Sequence, residues 1–141
     1  MIDKLISYET AVLAKEKEFS EECYEHYTIM NDKSIILQDN EAGYQECPNI
    51  FVAAISLSQF LHSYTRDNEF LAPTQSLLQR WLREKHNIYC GVAPVIYAGD
   101  NKASYYQATL NTNTIMYKER FNNYESALEL SLQEGLKLIK T

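Results

Sequence analysis

Three stretches of the chain repeat apolar residues with the period of a helix. In the first, Ile2, Leu5, Ile6, Val12 and Leu13 fall on one face, which predicts a helix over residues 2–18 that ends near Phe19 and Ser20. Lys4, Lys15 and Lys17 lie off that stripe. In the second, Pro73 and Thr74 supply start signals and Leu77, Leu78, Trp81 and Leu82 form the stripe. Gln79, Arg80, Arg83 and Glu84 are turned away from it, and Asn87 suits the left-handed conformation that closes a helix. In the third, Asn123 is the cap, Glu125 lies in the first turn, and Leu128, Leu132, Leu136 and Ile139 form the core face. Lys137 and Lys140 complement the dipole at its end.

Between these stretches the pattern turns β-like. Residues 23–30 and Ser34 to Gln38, joined by Asn31-Asp32-Lys33, read as a hairpin. Ile88 to Tyr97 is an extended run with kink points at Gly91 and Pro94. It is followed by a turn at Gly99-Asp100-Asn101-Lys102 and a strand from Tyr105 to Leu110. Asn111-Thr112-Asn113 turns the chain into a last strand, Thr114 to Tyr117. Residues 39–49 read as a loop, 50–64 as a helix (although IFVAAI also fits a buried strand), and 65–72 as a connection. The expectation is a single α+β domain over residues 1–141. An antiparallel sheet carries helices mainly on one face, and the C-terminal part runs helix-strand-strand-strand-helix.

Two of these segments, PTQSLLQRWLREKHNI (Pro73 to Ile88) and YESALELSLQEGLKLI (Tyr124 to Ile139), carry a resemblance. They resemble a family of small uncharacterised proteins from Bacteroides-type bacteria and their phages and mobile elements. ETAVLAKEKEF (Glu9 to Phe19) is similar to the opening helix of that family. The resemblance covers about half the chain and implies a phage or mobile-element accessory protein. It brings no activity and no functional residues.

Composition narrows the function classes. The chain has 141 residues, 45% hydrophobic and 23% charged, which is the balance of a globular domain. Three scattered cysteines, Cys23, Cys47 and Cys90, suggest a reducing compartment and a cytoplasmic protein rather than a disulfide framework. Asp3 and Glu9 interrupt the N-terminal apolar run and argue against a signal peptide, and no apolar run is long enough to span a membrane. The net charge of −6 is concentrated in residues 1–46, which disfavours a nucleic-acid partner.

Candidate chemistry is sparse. Cys23 and His26, with Cys47, have the spacing of half a zinc site, but the second half is missing. His86 and Cys90 form a possible thiol pair without an orienting group. Glu16, Glu18, Glu21, Glu22 and Glu25 lack calcium-loop spacing and read as a solvated helix end. Arg80, Arg83 and Lys85 are the candidate nucleic-acid contacts, weakened by Glu84 among them. No phosphate loop, dinucleotide fingerprint, zinc-protease or nucleophile-elbow motif occurs, so neither a metal, a cofactor nor a catalytic residue is expected.

The unusual feature is eleven tyrosines, five of them (Tyr89, Tyr97, Tyr105, Tyr106 and Tyr117) in the predicted sheet. With helices on one face, some rings must lie on the other, where tyrosine makes good contact surface. The expectation is therefore a non-enzymatic protein acting through protein–protein contacts or self-association, with Tyr97, Tyr105, Tyr106 and Tyr117 as partner-binding residues. The alternative is a small-molecule or nucleotide binder that sequesters a signal, which calls for a deep pocket lined by tyrosine and arginine.

Overall fold

The computed structural model describes residues 4–21, 23, 25–39, 69–111 and 115–140. The readings of 40–64 as loop and helix, and those of Cys47 and Glu22, lie outside the described residues. Over the described residues the fold is α+β, with two antiparallel sheets. The chain divides into two compact units, one of residues 5–73 and one of residues 74–141 with residues 1–4.

In the first unit, helix α1 (Tyr8–Glu16) starts six residues later than the apolar spacing predicts. Ser7 is its N-cap and accepts from the Thr10 N–H at 3.3 Å. Ile6 is fully buried ahead of the helix, its N–H bonded to the Pro73 carbonyl at 3.0 Å. The stripe through Leu5 and Ile6 therefore belongs to extended chain, and the buried helix face is Thr10, Ala11 and Ala14. At the far end, Glu18 N–H bonds Lys15 O and Phe19 N–H bonds Ala14 O, a Schellman closure with Glu18 at φ 64° where glycine is usual.

Strands β1 (Glu25–Ile29), β2 (Ile35–Asp39) and β3 (Glu69–Leu71) form one sheet in the order β2-β1-β3. The predicted hairpin is present, turning through Lys33 at φ 70°. The expected connection at 69–71 is instead a strand, because Phe70 stands opposite Tyr27 in the ladder. The rings of Tyr27 and Phe70 both meet Tyr8 of α1 edge-on, at 5.8 and 5.5 Å. Lys15 lies 4.7 Å over the Phe70 ring and donates to the Glu69 carbonyl.

In the second unit, α2 (Gln75–His86) and α3 (Tyr124–Lys137) flank a sheet of β4 (Cys90–Val95), β5 (Tyr105–Leu110) and β6 (Ile115–Met116) in the order β4-β5-β6. The predicted caps are in place. Thr74 accepts from Leu77 N–H, Asn123 accepts from Ser126 N–H, and Asn87 is left-handed at φ 56°. Leu78, Leu82, Leu132 and Leu136 are fully buried, and each contributes about 1.5–3 kcal/mol. Gln79 does not face away, since its Nε2 donates to the Cys90 carbonyl at 2.8 Å. Buried Gln75 ties α2 to α3, donating to Glu125 O and to Glu129 Oε1, both at 2.9 Å.

What seats α3 on the sheet is a row of small residues, Ala127, Ser131 and Gly135, all buried. The Ser131 hydroxyl accepts from Gly91 N–H at 3.0 Å and donates to Thr109 O at 2.5 Å, touching both β4 and β5. A Cβ at position 135 would come within 2.6 Å of Cys90 Sγ and 3.3 Å of Ile88. Gly135→Ala is therefore expected to destabilise the protein by about 1–3 kcal/mol in denaturant unfolding, with much of the loss recovered in Gly135→Ala/Cys90→Ala. Glu18→Gly, which relieves a left-handed non-glycine, is expected to stabilise it by about 1 kcal/mol in the same assay.

Candidate functional site

Strand alternation decides where the tyrosines of the second unit point. Cys90, Val92 and Pro94 stand opposite Leu110, Ala108 and Tyr106, and this set lies toward α3, where Cys90 meets Ser131 and Gly135. Tyr105, Gln107 and Thr109, with Val95, Ala93 and Gly91, lie on the other face. Tyr105 and Tyr106 are thus on opposite faces, and the expectation that they share one surface does not survive. The ring of Tyr106 meets that of Tyr124, the first residue of α3, at 6.4 Å. Its backbone exchanges two hydrogen bonds with Phe121.

The Tyr105 ring is edge-on to Tyr97 at 6.4 Å, and the Arg120 guanidinium lies 4.5 Å over it. Tyr97, just past β4, is 54% exposed, as is its neighbour Ile96. Tyr117 stands apart: it is half-buried, with its N–H on Ala108 O. Its phenol is held above the ordinary range by burial and then by Glu134 of α3. Tyr89 precedes β4 and is exposed, its N–H bonded to Asn111 Oδ1. Of the four tyrosines singled out from sequence, two come together, and they gather Arg120, which nothing in the sequence pattern marks.

No family model, curated protein or solved structure matches the chain. The chemistry has to be read from the side chains.

The nucleophile candidates are structural. Cys90 is buried and its thiol donates to the Ser131 carbonyl at 3.3 Å, while the His86 ring packs against Trp81 at 4.6 Å. Burial pushes Cys90 up to about 11 and Cys23 up to about 12, from an ordinary 9.0, so neither is a thiolate at neutral pH. His26 is buried in the middle strand of its sheet rather than on the surface, with Nε2 3.3 Å from Glu69 Oε2. No group of three or more metal-ligating side chains gathers among the described residues.

Arg80 and Arg83 line a shallow groove along α2 with Thr74, Ser76, Leu77 and Gln79; Lys85 is exposed near its end. A second open concavity follows the turn 99–104. The enclosed hollow beneath α1, lined by Ala11, Ala14, Lys15, Phe19 and Leu71, holds about 10 Å³, room for one water. No helix among the described residues is long and apolar enough to cross a membrane.

The thiol environment sets a pH dependence. A thiol raised in the folded protein stays neutral while its unfolded counterpart ionises near 9.0, so stability is full below that value. It falls as pH rises toward about 11–12. The melting temperature is expected to drop across that alkaline range and to drop less steeply in Cys90→Ala. Cys23 and Cys90 are expected to resist a thiol-specific reagent at pH 8 until denaturant is added, as followed by mass spectrometry of the labelled peptides.

Proposed function

We propose that the chain is a non-enzymatic accessory protein that works by contact with a partner protein, through a patch made by exposed Tyr97 and Arg120 around half-buried Tyr105. The observation that carries this reading is the pre-ordered stack itself. Two tyrosines and an arginine are already fixed against one another on the sheet face that α3 leaves uncovered. Rigid aromatic and arginine side chains lose little conformational freedom on binding, which is why they dominate contact energetics. Buried, neutral thiols and a histidine packed on tryptophan offer no competing catalytic group. The phage or mobile-element setting rests on the sequence resemblance, and the cytoplasmic setting on the scattered cysteines. A nucleotide- or small-molecule-binding role is the weaker alternative: among the described residues, the hollow beneath α1 is far below ligand size and the concavities along α2 and at the turn 99–104 are lined without tyrosine.

Capture on an immobilised bait from the native host tests the reading. Tyr97→Ser/Tyr105→Ser and Arg120→Ala are each expected to weaken binding of the captured partner about tenfold or more without lowering the melting temperature. Tyr106→Ser, on the helix side of the same strand, is expected to lower the melting temperature and leave capture intact. Equal capture by the Tyr97/Tyr105 variant and the wild type would remove the patch from consideration.

A further inference from the structure

A bulge brings Arg120 to the aromatic patch. Tyr117 donates its N–H to Ala108 O, and Phe121 exchanges two hydrogen bonds with Tyr106. On β5 only Gln107 lies between those pairings, whereas the returning chain holds Lys118, Glu119 and Arg120. Three residues opposing one interrupt the ladder, and such interruptions re-aim side chains. A regular ladder would set Lys118, not Arg120, opposite Gln107. Phe121 shares the α3 side of the sheet with Tyr106, so alternation turns Arg120 to the face that α3 leaves uncovered. There its guanidinium lies 4.5 Å over the Tyr105 ring.

The ring occupies the plane of the guanidinium and leaves its edge free. Arg120 is exposed, and among the described residues its side chain has neither an ion pair nor a hydrogen bond. The side chain of Gln107, on the same sheet face, has no hydrogen bond among them either. The in-plane N–H groups of a stacked guanidinium form a fork that matches a carboxylate. Stacking also restricts a long side chain beforehand, so less freedom is lost when the fork is filled. The other charges of the bulge, Lys118 and Glu119, offset each other and leave Arg120 as its net positive charge. The negative charge of the chain is concentrated in residues 1–46, while residues 74–141 hold more basic than acidic side chains, so this unit does not repel an acidic ligand.

We propose that the partner presents an acidic segment to this patch. An Asp or Glu carboxylate of the partner is held in the Arg120 fork, with the Gln107 amide on the same face, and an apolar side chain beside that acid packs on exposed Tyr97. The inference rests on the contact reading above and adds the chemistry of the partner to it. A phosphate fits less well, because phosphate sites gather several cations or a row of backbone N–H groups, and the patch offers a single guanidinium.

Selection of a random peptide library on the folded protein, followed by fluorescence anisotropy of the selected peptides, tests it. The selected sequences are expected to share an Asp or Glu next to an apolar residue. Changing that acid to its amide should weaken binding to the wild type about tenfold. The same change should make little difference with Arg120→Gln, which is expected to melt as the wild type does. Arg80→Gln/Arg83→Gln, on α2, is expected to bind the peptides as the wild type does. A selection without binders, binders without a shared acid, or an acid whose loss costs Arg120→Gln as much as the wild type would each overturn the proposal. So would displacement of the peptide by inorganic phosphate far below the concentration of acetate that displaces it. If a host partner is nevertheless captured and lost with Tyr97→Ser/Tyr105→Ser, only the acidic segment is refuted and the contact reading stands; if none is captured, both fall.

Discussion

The second unit depends on how closely α3 approaches its sheet. Gly135 brings helix backbone to a place where a methyl group would collide with Cys90 Sγ, and Ser131 sends its hydroxyl between Gly91 and Thr109. The buried leucines supply most of the stabilisation, but leucines slide past one another with little penalty. A hydroxyl bound to two backbone groups does not slide, because a buried donor or acceptor left unpaired costs about 1–3 kcal/mol. The leucine burial holds α3 down, and Ser131 and Gly135 fix where it sits.

Several properties follow from that seat. Cys90 is enclosed between β4 and α3 and donates to the Ser131 carbonyl, which makes it a packing residue rather than a nucleophile. The face of β5 that carries Leu110, Ala108 and Tyr106 is taken by the helix. Tyr105 is left on the other face, where Tyr97 and Arg120 assemble around it. The candidate binding surface is thus a by-product of which sheet face the small-residue row of α3 covers.

The sequence made α2 and α3 legible down to their caps, because Thr74, Asn87 and Asn123 are local signals that need no knowledge of the rest of the fold. It misled at α1, where the stripe through Leu5 and Ile6 runs into the helix in register while the Ile6 N–H is committed to Pro73, a residue remote in sequence. It misplaced Gln79, whose partner is a backbone carbonyl that only the folded chain brings near. The repeat of Ala127, Ser131 and Gly135 at intervals of four was readable as a close-packing face but was overshadowed by the leucines beside it. The candidate site was half legible. Tyrosine enrichment drew attention to β5, and simple alternation separates Tyr105 from Tyr106. Arg120 carries no periodic or motif signal, since its place is set by a single contact with the Tyr105 ring.

Native-state hydrogen exchange tests the seat of α3 most directly, since it ranks each backbone amide by the opening that exposes it. If the contact of Ser131 and Gly135 with the sheet is the centre of stability in this unit, the amides of Leu132, Leu136, Ala108 and Leu110 should exchange slowest and together, with Gly91 among them. Exchange of the α3 amides well ahead of β5, as for a helix that lifts away on its own, would contradict the account.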